Sequence, residues 1–256
     1  MREMMLAHEM QQKLLPQEVP QFPSVEIGAV STPAFEVGGD YYDFMSLDRA
    51  RLGIIIGDVS GKGVSAAFYM AEVKGIFQAL ARRYDSPREF MTRANEALMG
   101  SIDKHSFVSL LYGILDTHTG VLTLARAGHC PMLLVREGGT RYLRPGGMGI
   151  GLGEGDVFDS AREEEVIPLG VGDVCVFYTD GVTEARHGAD EFGYERLLAV
   201  AEEARGRSAD AILQNILGTV HKFTDGQPTH DDLTLVVVKW RGNGSGSDIS
   251  KREDAA

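Results

Sequence analysis

The chain predicts an α+β fold, an antiparallel β-sandwich flanked by helix pairs. Three observations carry that expectation. Segments with strand character fall in blocks, at residues 25–59, 108–143 and then near 174 and 233, instead of alternating one for one with helices. Two helix pairs separate the blocks, at 64–102 and 195–223. No repeat of the kind that builds solenoids or propellers runs through the sequence. At 256 residues the chain can bury a substantial core. It reads as one main domain at 23–241, preceded by a linker helix and connector at 1–22 and followed by a flexible tail at 242–256.

The opening segment places Leu6, Met10 and Leu14 at helical spacing, with Met5 and Leu15 widening the stripe, and Pro16 stops it. A helix this short is marginal alone, so it must dock on its own domain or pair with another copy, and its start suggests a helix that continues upstream. VEIGAVS, YYDFMSL and RLGIIIGDV are the first strands. Residues 64–83 have helical composition. Ser86-Pro87-Arg88-Glu89 is a capping box with proline at the first helical position, opening a second helix to about residue 102. Strands follow at 108–116, 120–126, 132–136 and 141–143, joined by His118-Thr119-Gly120 and Glu137-Gly138-Gly139. The glycine-rich stretch 146–155 reads as a mobile loop. A strand at 173–178, helices at 195–203 and 208–223 with Ser208 as N-cap, and a last strand at 233–240 complete the order.

There are 37 acidic and 25 basic residues, a formal net charge of −12. That balance argues against nucleic acid and anionic membranes as partners, and it suits a site that concentrates carboxylates around a cation. Cys130 and Cys175 each lie in an apolar run and read as reduced thiols rather than a disulfide or zinc pair. No run of 18 apolar residues and no signal-peptide core occurs, so the expected setting is cytoplasmic, without membrane insertion.

The chemistry gathers at strand ends. In GIIIGDVSGKG, residues 53–63, three isoleucines form a buried strand that delivers Asp58 into a glycine turn. A P-loop is excluded, because Gly63 follows Lys62 where Ser or Thr is required and Ile56 stands where the first glycine should be. Asp40 after Gly38-Gly39, Asp180 between Thr179 and Gly181, and Asp231-Asp232 before LTLVVV repeat the arrangement. Each alone is an ordinary turn aspartate. Together on one rim they would repel one another unless a cation stood between them. All-oxygen donors select Mg²⁺ or Mn²⁺.

The same residues match a family. GGDYYDF at 38–44, GDVSGKG at 57–63, AGHCP at 127–131, YTDGVTEA at 178–185 and DDLTLVVV at 231–238 resemble the metal-dependent (PPM) serine/threonine phosphatases. The resemblance is nearest to their bacterial branch typified by SpoIIE and RsbU, and it runs in order from about Ser24 to Lys239. It implies a PPM-type phosphatase domain with two Mn²⁺ or Mg²⁺ ions, and a weaker third, held by Asp40, Asp58, Asp180, Asp231 and the Val59 carbonyl. Asp58 would bridge both ions, Asp43 and Asp232 would support from behind, and His129 would be structural. Water activated by the ions would attack phosphoserine or phosphothreonine in line, with no nucleophilic Ser or Cys. The implied substrate is a phosphorylated STAS-domain anti-anti-sigma factor. An upstream sensor or activator would signal through the N-terminal helix, which could also form a homodimer seam and bias the helices that carry the Asp58 turn.

Two positions depart from the family pattern. Relatives of type 2C carry a phosphate-gripping Arg before the first acidic motif, and no Arg lies between Arg2 and Arg49. They also often place His where Ser60 stands. Lys62 could supply charge, or be a solvated turn residue. The alternative functions are a catalytically silent phosphatase-like binding module and a hydrolase of small phosphoesters.

Overall fold

Two five-stranded antiparallel sheets face each other, and a helix pair covers the outside of each. The computed structural model describes residues 2–227 and 229–243. In chain order the elements begin with α1 (Arg2–Leu14), β1 (Val25–Thr32), β2 (Tyr41–Ser46), β3 (Arg51–Val59), α2 (Val64–Leu80) and α3 (Pro87–Leu98). Then come β4 (Val108–Asp116), β5 (Val121–Ala127), β6 (Met132–Val135), β7 (Arg141–Leu143), α4 (Gly155–Ser160) and β8 (Glu164–Pro168). The rest are β9 (Val174–Tyr178), α5 (Asp180–Thr183), β10 (Arg186–His187), β11 (Asp190–Glu191), α6 (Gly193–Ala204), α7 (Ala209–Phe223) and β12 (Leu233–Trp240). One sheet runs β2-β3-β4-β5-β8, the other β1-β12-β9-β6-β7, and β10-β11 is a separate hairpin.

Strand composition follows from burial on both faces. In β9, Cys175 and Phe177 join the core between the sheets, while Val174, Val176 and Tyr178 pack under α6 and α7. Alternation therefore disappears from the sequence, as a doubly covered strand requires. On the opposite sheet, Phe77 of α2 packs edge-on against Tyr41, Phe90 and Tyr112 at centroid distances of 6.5, 6.0 and 5.7 Å. Phe77 is fully buried, so this cluster pins α2 and α3 to the sheet.

Helix ends follow the expected chemistry in part. Ser86 Oγ accepts from Glu89 N at 3.2 Å, with Pro87 at the first helical position, and Ser208 Oγ accepts from Ala211 N at 3.3 Å. The Ser86 hydroxyl also donates to Glu164 at 2.6 Å, tying α3 to β8.

Three expectations need correction. Residues 146–151 are not a loose loop. Gly128 N donates to Gly147 O at 3.2 Å, Val108 and Ile150 exchange backbone bonds at 2.9 and 2.8 Å, and Gly151 N donates to Asn95 Oδ1 at 2.9 Å. A Cβ on Gly147 would lie 1.6 Å from Arg126 O, so glycine here serves close packing rather than freedom. The segment then leads into α4 and β8, neither of which the sequence pattern announced. Finally, the expected α1 stripe is engaged only at its end: Leu14 and Leu15 pack on the core and the Gln11 amide bonds both Gly38 O at 2.7 Å and Gly38 N at 3.0 Å, while Met5, Leu6 and Met10 are exposed. Most of the flexible-tail reading, from residue 244 onward, lies outside the described residues. Among the described residues no helix is long and apolar enough to cross a membrane.

Truncating Phe77 removes the shared partner of three rings. Phe77→Ala is expected to cost about 3–5 kcal/mol, read as a lower midpoint in chemical denaturation. A loss below about 1 kcal/mol would mean that α2 is held by something else.

Candidate metal centre

Strand register alone brings the aspartates together. Tyr41 pairs with Gly57, which sets Asp40, just before β2, across from Asp58 near the end of β3. In the other sheet Tyr178 pairs with Leu235, so Thr179 and Asp180 leave β9 where Asp231 and Asp232 enter β12. Asp180 opens α5, and glycine is needed beside it: a Cβ on Gly181 would lie 2.0 Å from Asp232 O. Gly39 is under the same constraint, with Val59 O 2.7 Å and Asp58 Oδ1 3.1 Å from where its Cβ would be.

Two carboxylates clasp one sheet rim to the other. Asp40 Oδ2 accepts from Thr179 Oγ1 at 2.8 Å and Thr234 Oγ1 at 2.6 Å, and both threonines are fully buried. Thr179 Oγ1 in turn accepts from Thr234 N at 3.0 Å, which fixes the direction of its proton toward Asp40. In the reverse sense Asp232 Oδ2 accepts from Gly39 N at 2.7 Å, and Asp232 Oδ1 accepts from Ala34 N at 2.8 Å.

The electrostatics of this rim are adverse. Burial, then the Asp58 charge, holds Asp40 well above the usual carboxylate range, although the two threonines oppose the shift. Burial, then Asp180, Asp231 and Asp232, pushes Asp58 up to about 8. Asp180 is raised by burial and by Asp231. Among the described residues one cation faces the group: Lys62 Nζ lies 2.9 Å from Asp231 Oδ2 and donates to His230 O at 2.8 Å.

Chemically this donor set suits a hard divalent ion: oxygen donors, several carboxylates whose ionisation is opposed by burial and by one another, and a cradle of glycines that leaves the Val59 carbonyl uncovered by side chains. Among the described residues, however, no three His, Cys, Asp or Glu side chains are disposed about one point that could hold an ion. The partners explain why. Asp40 is turned to two hydroxyls and Asp231 to Lys62, so the carboxylates share a rim without closing on a common centre.

The remaining expected residues have other duties. Asp43 is turned to α2: its Oδ2 accepts from Tyr41 Oη at 2.8 Å, Lys74 Nζ at 3.1 Å and Gln78 Nε2 at 3.2 Å. It ties the first strand of the site to the helix beyond Asp58 and does not reach the rim. His129 is buried against Ser109 Oγ at 2.7 Å, and burial pushes its pKa down to about 3, so it is neutral. Ser60 and Phe107 exchange two bonds, Ser60 N to Phe107 O at 2.9 Å and Phe107 N to Ser60 Oγ at 2.8 Å. Burial and nearby carboxylates push the Cys130 thiol up to about 12, which removes it as a nucleophile. Thr179 and Thr234 are site residues that sequence reasoning missed. Their signal was adjacency: one directly precedes Asp180 and the other lies two residues past Asp232.

Solved structures share this architecture. The SiaA-PP2C domain of Pseudomonas aeruginosa superposes with a TM-score of 0.78 at 18% identity, covering 93% of this chain and 96% of that one. The catalytic domain of the serine/threonine protein phosphatase PstP, solved with two manganese ions, gives 0.62 at 13% identity over 84% and 98%. These likenesses show the fold, that of a PP2C-type phosphatase domain. The chain belongs to the SpoIIE family, since residues 48–241 match the model described as stage II sporulation protein E. Phosphoserine phosphatase RsbU of Bacillus subtilis is 31% identical over 237 residues, 93% of this chain and 70% of RsbU. Two further curated relatives are spanned over only 40% and 36% of their length.

The raised carboxyls set a pH dependence. Between 3.8 and about 8 the folded chain retains a proton on Asp58 that the unfolded chain has released, so ion-free stability falls as pH rises through that window. The melting temperature of the ion-free protein is expected to drop between about pH 5 and pH 8, by roughly 2–4 °C for each kcal/mol of repulsion, and Mn²⁺ should restore most at the upper end. Asp58→Asn should lessen this dependence, with Asp40 and Asp180 keeping the remainder. A wild-type profile that is already flat would remove the repulsion account.

Proposed function

We propose that this domain hydrolyses phosphoserine or phosphothreonine on a protein, with Mn²⁺ or Mg²⁺ held by Asp40, Asp58, Asp180, Asp231 and the Val59 carbonyl. The observation that carries the reading is the gathering of four carboxylates from two sheets onto one rim, at a cost in repulsion that a divalent pair would relieve. When bound, such ions supply Lewis acidity, acidifying water and offsetting phosphoryl charge.

The protein's own residues do the rest by position. Thr179 and Thr234 hold Asp40 in one orientation, leaving its second oxygen for the centre. Asp232 holds the backbone at Ala34 and Gly39, and so the chain that leads to Asp40. Ser60 Oγ accepts from Phe107 N, which fixes the side chain and leaves its hydroxyl proton free to donate. At His230, the residue before Asp231, opens a groove of about 620 Å³ of mixed polar and apolar lining, including Phe35, Arg186, His187 and Thr229.

The substrate we infer is a phosphorylated STAS-domain anti-anti-sigma factor, in keeping with the likeness to RsbU. The two free cysteines accord with a cytoplasmic setting. A sensor, an activator or a second copy would act through α1, whose Met5, Leu6 and Met10 are exposed.

Release of phosphate from a phosphorylated STAS protein, with and without Mn²⁺, tests the reading directly. Asp58→Ala should lower the rate by about two orders of magnitude or more, and an unaffected rate would refute the assignment. Arg186→Ala should raise KM for the phosphoprotein while leaving p-nitrophenyl phosphate turnover unchanged. Equal effects on both substrates would place the polypeptide elsewhere.

A further inference from the structure

Lys62 is the one basic side chain that the described residues place against the aspartate rim, and its surroundings are specific. Its ammonium lies 2.9 Å from Asp231 Oδ2, donates to His230 O at 2.8 Å, and sits 5.8 Å from the centroid of the Phe35 ring. The turn that carries it is built for this reach: Gly61 and Gly63 on either side have φ of 98° and 77°, a conformation that costs glycine little. An ordinary turn lysine would extend into water. This one spans from the β3 exit on one sheet to the β12 entrance on the other.

We propose that Lys62 is an internal counter-ion of the metal centre, which competes with a divalent cation for Asp231 and must leave that carboxylate when the ion binds. The inference rests on reading Asp231 as a metal-binding carboxylate. Two further observations accord with it. The Lys62 charge also acts on Asp58 and Asp180, lowering both against their burial, so it partly neutralises the same group of carboxylates that the ions would neutralise. With Asp231 held by the lysine, the carboxylates among the described residues do not converge on one point. The pair is half exposed, so the ammonium can move to water without the cost of breaking a buried ion pair. Occupation of the Asp231 side would therefore be the weaker and more exchangeable step, and the strength of that step would be set by a residue that binds no metal itself.

Calorimetric titration of the folded, ion-free protein with Mn²⁺ tests this without reference to catalysis. Lys62→Met, which keeps the side chain's length and removes its charge, should bind Mn²⁺ about fivefold tighter, the factor that corresponds to an exposed ion pair of about 1 kcal/mol. Lys62→Arg should bind as the wild type does. In an Asp231→Asn background the effect of Lys62→Met should vanish, since the carboxylate in dispute is gone. Unchanged or weaker binding by a Lys62→Met protein with a wild-type circular dichroism spectrum would overturn the proposal while leaving the metal reading intact. Failure of wild type and variant alike to bind Mn²⁺ would overturn both.

Discussion

Like charges forced into one place are the constraint on which this structure turns. Asp40, Asp58, Asp180 and Asp231 come from four chain segments and two sheets, and water alone would favour keeping them apart. They are brought together by the register of β2 on β3 and of β9 on β12, backed by cores that bury nearly every residue of those strands. The hydrophobic interior thus supplies the free energy that keeps the rim assembled, and the rim in turn selects the residues near it. Thr179 and Thr234 must be hydroxylated to hold Asp40, and Gly39 and Gly181 must lack a Cβ to let the two sheets approach.

Much of this was legible in the chain. Runs such as Ile54-Ile55-Ile56 and Leu235-Val236-Val237 announce strands covered on both faces, and aspartates beside glycines at their ends mark the rim. The Ser86 and Ser208 caps were readable because an N-cap is a local interaction. What escaped was non-local. β8 reads as charged and irregular because it is an edge strand with Glu164 and Val166 toward solvent. Glycines at 146–151 are ambiguous in sequence, since freedom and close packing call for the same residue; only contact with Arg126 O decides between them. The orientation of Asp43 toward Lys74 and Gln78 was hidden likewise, because those partners lie 31 and 35 residues away on α2.

The departures from the type 2C pattern have physical counterparts. With no arginine between Arg2 and Arg49 and with Ser60 tied to Phe107, positive charge near the rim is concentrated in Lys62, which spans from one sheet to the other. Arg186 stands further out, paired with Glu191 across the β10-β11 hairpin at 2.8 Å, on the wall of the groove. On the function proposed above, anchoring of an anionic partner would shift from the buried centre toward its mouth.

The attachment of α1 carries a mechanical corollary. Gln11 grips both polar atoms of a single peptide-bonded residue, Gly38, and Gly38 can have no side chain because Asp232 Oδ2 would lie 1.9 Å from its Cβ. Rotation of the helix about its own axis would be felt at Gly38, two residues ahead of Asp40, and at Glu36, whose carbonyl meets His8. The Gln11 amide would then act as the crank pin between whatever turns the helix and the first carboxylate of the rim.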